Sequence, residues 1–180
     1  TKSVTANLTF CSSLSPSRDS FLDLGCGSGF LSKLCLKYNL FNSGFGIDIS
    51  ESQIKLYNEA LSFSSFSGVV GDSYSLPYDD CTFDCVGGYS VLHHFYDYNK
   101  VIRESLRVLK PGGVIYFDFE PNSRFRRRFK SLVKAHRLIK GAIFNSGDAY
   151  VPPLAKEATL ESVSEWHNNA TDGISYDNLS

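Results

Sequence analysis

The feature that most constrains this chain is a short turn, Asp23-Leu24-Gly25-Cys26-Gly27-Ser28-Gly29, set between an apolar run and a helical pattern. The run Phe21-Leu22-Asp23-Leu24 is too short for a helix and stops at glycine, as a buried parallel strand does. Leu31, Leu34, Cys35 and Tyr38 then recur at helical spacing. A strand that turns through glycines into a helix opens a βαβ unit. Glycines there let the backbone turn tightly and let a ligand approach without meeting a Cβ.

The spacing narrows the ligand. A dinucleotide fingerprint is GxGxxG, whose last glycine allows close helix–strand packing beside a pyrophosphate. Here the pattern is GxGxG, with Asp23 two residues before the first glycine. A carboxylate at that place repels a diphosphate but suits a ligand bearing an ammonium and a sulfonium. Asp48, 23 residues after Gly25, ends the next expected strand, where it can accept hydrogen bonds from both ribose hydroxyls. Asp72 ends a third, where it can accept from an adenine amino group. Any one of these acids reads equally well as a solvated turn residue. Three successive strand tips beside a glycine loop point to a nucleoside.

The rest of the pattern alternates in the same way. Gly44-Phe45-Gly46-Ile47-Asp48-Ile49 reads as a strand, and Ser50 with Gln53 as a capping box ahead of a helix with Ile54, Tyr57 and Leu61 on its apolar face. Val69-Val70 is a short strand, and the run from Phe83 to Gly88 is another. Val101, Ile102, Ser105, Leu106 and Leu109 fit a helix stopped by Pro111-Gly112-Gly113, before a fifth strand, Val114-Ile115-Tyr116-Phe117. The fold class is α/β, a doubly wound parallel sheet with right-handed crossovers. At 180 residues one domain suffices. It divides into a polar leader (1–19), a core (20–122), and a basic amphipathic helix with an incomplete C-terminal part (123–180).

Five segments, in order and in register, resemble the class I S-adenosylmethionine-dependent methyltransferases, especially the group with the ubiquinone and menaquinone biosynthesis enzymes. They are Phe21 to Gly29 (FLDLGCGSG), Gly46 to Ser50 (GIDIS), Gly71 to Asp84 (GDSYSLPYDDCTFD), Val91 to Phe95 (VLHHF) and Arg107 to Gly113 (RVLKPGG). The resemblance covers about residues 20 to 122 and implies a Rossmann-like sheet that binds S-adenosyl-L-methionine. It implies that Asp23, Gly25, Cys26 and Gly27 contact the methionine part, largely through backbone groups. Asp48 would hold the ribose with Ile49 against the adenine, and Asp72 and Ser73 would bind the adenine edge. The backbone near Tyr89 would meet the methionine amine. The family's sheet continues with a helix, a sixth strand and an antiparallel seventh. Ile174 to Ser180 (ISYDNLS) resembles the start of that helix, so the chain is expected to continue past Ser180, leaving the fifth strand with an unpaired edge here.

Methyl transfer from a sulfonium needs alignment and desolvation above all, and a base only when the nucleophile carries a proton of high pKa. His93 and His94, near the fourth strand end, are candidates for that base, and Glu120, past the fifth strand, is a candidate to face the substrate. Each reads also as a packing or capping residue. The five cysteines form no CxxC pair and no histidines stand at zinc spacing, so no metal is expected, and reduced thiols suit a cytosol-like compartment. The chain starts at Thr1 and holds no Met, so its true start is expected upstream; an organellar targeting segment would lie there.

Residues 124 to 140 carry eight of the eighteen basic residues and no acid, leaving an excess of nine acids elsewhere. Phe125, Phe129, Leu132 and Val133 give this segment an apolar face. It reads as a lid over the substrate cavity, with peripheral contact to an anionic membrane as the second reading and nucleic acid disfavoured. The functional reading is a methyltransferase acting on a small, hydrophobic molecule. The alternatives are an inactive methyltransferase-like partner module and, against the glycine spacing, an NAD-dependent oxidoreductase. Acceptor and oligomeric state are not encoded in these motifs.

Overall fold

A computed structural model describes residues 2–120. The basic segment at 124–140, the region 123–180 and the tail from Ile174 lie outside the described residues. In chain order the elements are α1 (Lys2–Leu14), β1 (Ser20–Leu24), α2 (Phe30–Lys37), β2 (Ser43–Asp48), α3 (Glu51–Ala60), β3 (Phe66–Val70), β4 (Phe83–Tyr89), a short 3-10 turn (Leu92–His94), α4 (Tyr98–Val108) and β5 (Leu109–Asp118). The strands form one sheet in the order β3-β2-β1-β4-β5, every neighbouring pair parallel. The chain winds outward from β1 to β3, then returns to β4 on the other side of β1. The switch point therefore falls between β1 and β4, where doubly wound sheets open a crevice.

Strand alternation decides which residues meet which layer. Phe21 and Cys85 point into a cluster with Leu8, Leu31, Cys35 and Tyr57, joining α1, α2 and α3 to one face of the sheet. Leu22, Leu24 and Val86 alternate to the other face and are fully buried, as are Val101 and Val108 of α4. Each such side chain contributes about 1.5–3 kcal/mol by leaving water.

Four local expectations are corrected. The leader contains a 13-residue helix, α1, whose buried positions are Val4, Leu8, Cys11 and Ser12. The helical spacing was present, but one of its inward residues is polar; Ser12 Oγ donates to the Leu40 carbonyl at 2.8 Å. Ser50 stands at the N-cap of α3 yet its side chain makes no cap bond; its Oγ meets Ser52 Oγ at 3.0 Å instead. Tyr38, expected on the inward face of α2, sits at its C-cap and is exposed.

The fourth correction concerns α4, which ends at Val108, ahead of Pro111. Phe83 pairs with Leu109 and Cys85 with Val114, so the residues between bulge from β5. Lys110 in that bulge reaches Asp84, both Nζ–O distances being 3.0 Å. Asp84 is fully buried and also accepts from Ser17 Oγ, Ser20 N and Ser20 Oγ. Burial pushes its carboxyl up, but bonds from Ser17, Lys110 and Ser20 outweigh that and hold it below the usual range. This cluster clamps the amino ends of β1 and β4. Among the described residues β5 is an edge strand, as expected, and α1 packs against it.

Candidate active site

The register brings the expected site residues to one edge. Leu24 lies level with Ile47 on one side and Gly88 on the other; Asp48 is level with Val70, and Tyr89 with Asp118. From β3 to β4 there are three strand spacings of about 4.8 Å, an edge of roughly 14 Å across which a nucleoside can lie.

The glycine loop is held over this edge by two constraints. Gly25 and Gly27 have φ of 55° and 49°, a region that costs other residues about 1–2 kcal/mol. A Cβ on Gly25 would also fall 2.1 Å from Val91 Cγ2, so the loop and the segment after β4 are packed without space between them. A Cβ on Gly27 would meet only Gln53 Oε1, at 3.7 Å. That side of the loop is open, and a ligand can approach its backbone there.

Asp48 binds the loop directly. Its Oδ2 accepts from Gly27 N at 2.8 Å and its Oδ1 from Ser50 N at 2.9 Å. An ionised carboxylate offers about four lone-pair sites, so roughly two remain for ribose hydroxyls. Ile49 beside it is 41% exposed, an apolar platform suited to a planar base. Cys26 is buried and its amide donates to the Ile47 carbonyl, joining the loop to β2. Burial, with the charges of Asp23 and Asp48, pushes its thiol well above the usual range, so it is an inert packing group. Asp72 is exposed, with Oδ1 accepting from Tyr74 N in a local turn, and Ser73 next to it is buried.

The side chain of Asp23 is turned into the core. Its side chain is nearly fully buried, and Oδ2 accepts from Ser32 N at 3.1 Å and Ser32 Oγ at 2.7 Å. Ser32 in turn accepts from Tyr57 at 2.8 Å. Asp23 thus ties α2 to β1 beneath the loop rather than touching a ligand from the crevice. Burial, offset in part by the Ser32 bonds and reinforced by the Asp48 charge, pushes its carboxyl up to about 7.

Across the switch point, Tyr89 ends β4 with its ring stacked on Phe119 at 5.3 Å and tilted against Phe30 at 4.7 Å. Phe30 and Phe119 are exposed, and neither belongs to a motif legible in the sequence. Both Ser90 and Phe119 have positive φ, 57° and 62°, and Ser90 N donates to the Asp118 carbonyl, so β4 and β5 end in linked, strained turns.

Glu120 also departs from expectation. It does not present its carboxylate to a substrate: the side chain is 4% exposed and accepts from the amides of Val91, Leu92 and His93 and meets His93 Nδ1 at 2.7 Å. Burial pushes its carboxyl up, but these bonds outweigh burial and hold it below the usual range. The His94 ring lies 4.2 Å from that of His93. The pairing of His93 with Glu120 was not visible from two residues 27 positions apart.

Neither Asp23, Asp48 nor Asp72 has an ion-pair partner among the described residues. At the edge itself the carboxylates are Asp48 and Asp72, and with the open glycine backbone they suit a cationic nucleoside better than a diphosphate. Among the described residues no cluster of His, Cys, Asp and Glu could hold a metal ion, and no helix is long and apolar enough to cross a membrane. The five cysteines are unpaired thiols, Cys81 exposed and the rest buried.

Comparison with known proteins gives the family and the fold. Residues 22–117 match the family model described as a methyltransferase domain. The chain is similar to the 27-O-demethylrifamycin SV methyltransferase of Amycolatopsis mediterranei, 37% identical over 101 residues that cover 53% of this chain and 36% of that protein. It is 39% identical over 101 residues to the demethylmenaquinone methyltransferase of Shouchella clausii, covering 53% of this chain and 43% of that one. The chain spans well under half the length of these curated relatives. Among solved structures, the PH0226 protein of Pyrococcus horikoshii superposes with a TM-score of 0.55 at 35% identity, over 66% of this chain and 55% of that one.

Proposed function

The chain belongs to the methyltransferase-domain family, and from that premise we propose that it is the cofactor-binding core of an enzyme that moves a methyl group from S-adenosylmethionine to a small, hydrophobic molecule. The observation that carries this reading is the Asp48 carboxylate. It fixes Gly27 from below and retains acceptor sites at the tip of β2, beside an open glycine backbone. When bound, the cofactor supplies an electrophilic methyl group on a good, neutral leaving group. This chain's residues then have three tasks. Gly25 to Gly27 offer backbone groups to the methionine part, Asp48 orients the ribose, and Ile49, Asp72 and Ser73 surround the adenine. The aromatic ledge of Phe30, Tyr89 and Phe119 offers an exposed apolar surface at the ends of β4 and β5, which favours an apolar acceptor. The matched relatives' names include a quinone precursor and a rifamycin, in accord with such an acceptor.

A dinucleotide reading finds no support, because the loop lacks the third-glycine spacing of the dinucleotide fingerprint. Isothermal titration of the whole chain with S-adenosylmethionine, S-adenosylhomocysteine and NAD tests the proposal. The first two bind, NAD does not, and Asp48→Ala weakens both by about 100-fold or more through loss of two charge-assisted hydrogen bonds of about 1.5 kcal/mol or more each. Binding of NAD alone overturns it.

A further inference from the structure

We infer that Arg107, in the last turn of α4, is the positioning residue that holds the turn bearing Asp72 where its carboxylate can read the amino group of adenine. This rests on the S-adenosylmethionine reading and adds the residue that sets base selectivity at the same site. Asp72 is exposed just past the end of β3. Its Oδ1 accepts from Tyr74 N at 2.8 Å and its carbonyl from Ser75 N at 3.1 Å, so residues 72–75 close a turn. Among the described residues Oδ1 alone has a partner, which leaves Oδ2 to accept from a base. Those bonds shape the turn. They do not place it over the sheet edge.

The placing is done from α4. Leu76 follows the turn and is buried, and both of its backbone groups go to that helix. Its N donates to Glu104 Oε2 at 3.0 Å, and its carbonyl accepts from Arg107 Nη2 at 3.0 Å. Arg107 Nη1 also donates to the Tyr78 carbonyl and to Asp80, each at 2.8 Å. Its Nε and Nη2 donate to Glu104 at 3.0 and 2.9 Å. Every N–H of the guanidinium thus has an acceptor, in the planar fork that only arginine offers. Bonds from Arg107 hold the Glu104 carboxyl below the usual range, so it stays charged at neutral pH. At the other end of α4, Asp97 N donates to Tyr74 Oη at 3.0 Å. An exposed ion pair adds little to stability and needs no carbonyls. Here three of the bonds from Arg107 run to the loop after β3, which makes the guanidinium a clamp on that loop. A carboxylate already in place spares the ligand the ordering of a loop, and a loosened one loses selectivity first.

Calorimetric titration of the whole chain tests this with S-adenosylhomocysteine and with S-inosylhomocysteine, whose base carries a carbonyl oxygen in place of the amino group. The wild-type chain is expected to prefer the adenosyl ligand by about tenfold or more, because a carboxylate facing a carbonyl oxygen has no proton to accept. In Arg107→Met the preference is expected to fall to about threefold or less, with S-inosylhomocysteine bound within about threefold of its wild-type affinity. Asp72→Ala is expected to do the same, and the double variant to lose no more than either single one. Arg107→Lys keeps the charge without the fork and is expected to fall between; it decides the question where Arg107→Met does not fold. Equal weakening of both ligands by the Arg107 variants shows a structural role alone and overturns the inference. So does an unchanged preference, or a wild-type chain that binds S-adenosylhomocysteine without preferring it. No binding of S-adenosylhomocysteine by the wild-type chain removes the parent reading instead, and this inference with it.

Discussion

Replacing Gly25 by alanine probes the contact that joins the loop to the segment after β4. The new methyl would sit at φ 55° and 2.1 Å from Val91 Cγ2, with Val91 Cβ at 3.2 Å. The left-handed conformation costs about 1–2 kcal/mol for alanine. The overlap costs a further ~1–3 kcal/mol, because Val91 is 5% exposed and its branched side chain has little room to turn. Gly25→Ala should therefore lose about 2–5 kcal/mol, a large part of a domain's usual stability. Val91→Ala alone removes two buried methyl groups, about 1.6 kcal/mol before any cavity cost. In the double variant the overlap disappears while the backbone cost stays. The pair should thus be more stable than the sum of the singles by ~1–3 kcal/mol. Urea unfolding of the four proteins measures this, provided the slope with denaturant is unchanged. Additivity within about 0.5 kcal/mol would refute the close contact between loop and turn.

Other outcomes follow from the same network. Asp48→Asn places an amide where Gly27 N and Ser50 N both donate; either orientation strands one donor, costing about 1–3 kcal/mol in urea unfolding and weakening S-adenosylhomocysteine at least tenfold by titration. Asp23, pushed up to about 7 when folded, holds its proton more tightly than the unfolded chain does, so its share of stability falls as pH rises from about 4 to about 7; Asp23→Asn should flatten that slope in urea midpoints taken across the range. Asp84 is held below the usual range, so its share of stability is present above about pH 4 and is lost as pH falls through its lowered value. Lys110→Met strands that buried carboxylate and should cost roughly 3 kcal/mol at neutral pH, near the low end for buried pairs because Lys110 is 32% exposed; thermal unfolding would show it.

What the sequence discloses here depends on whether the cause of a feature is local. The glycine loop is legible because left-handed backbone and close approach exclude most side chains at Gly25 and Gly27, whatever the rest of the chain does. The parallel strands are legible as apolar runs, and the tips bearing Asp48 and Asp72 follow from where those runs stop. The burial of the Asp23 side chain is not legible, because its partner Ser32, itself held by Tyr57, reaches it only through the packing of α2 and α3 on the sheet. Glu120 was misplaced for the same reason: its four bonds go to residues about 27 to 29 positions earlier, across the ends of β4 and β5. α1 was hidden by its polar composition, since its inward stripe includes Ser12. The end of α4 was set by strand pairing at Leu109, which overrode the proline-glycine stop.

One nucleoside is expected to be shared by the glycine loop and the tips of β2 and β3. A crystal structure of the chain grown with S-adenosylhomocysteine tests it most directly. Both ribose hydroxyls are expected within about 3 Å of Asp48, the adenine on Ile49 near Asp72, and the thioether beside Gly25. Ligand density on another edge of the sheet, or a ribose with no contact to Asp48, contradicts it.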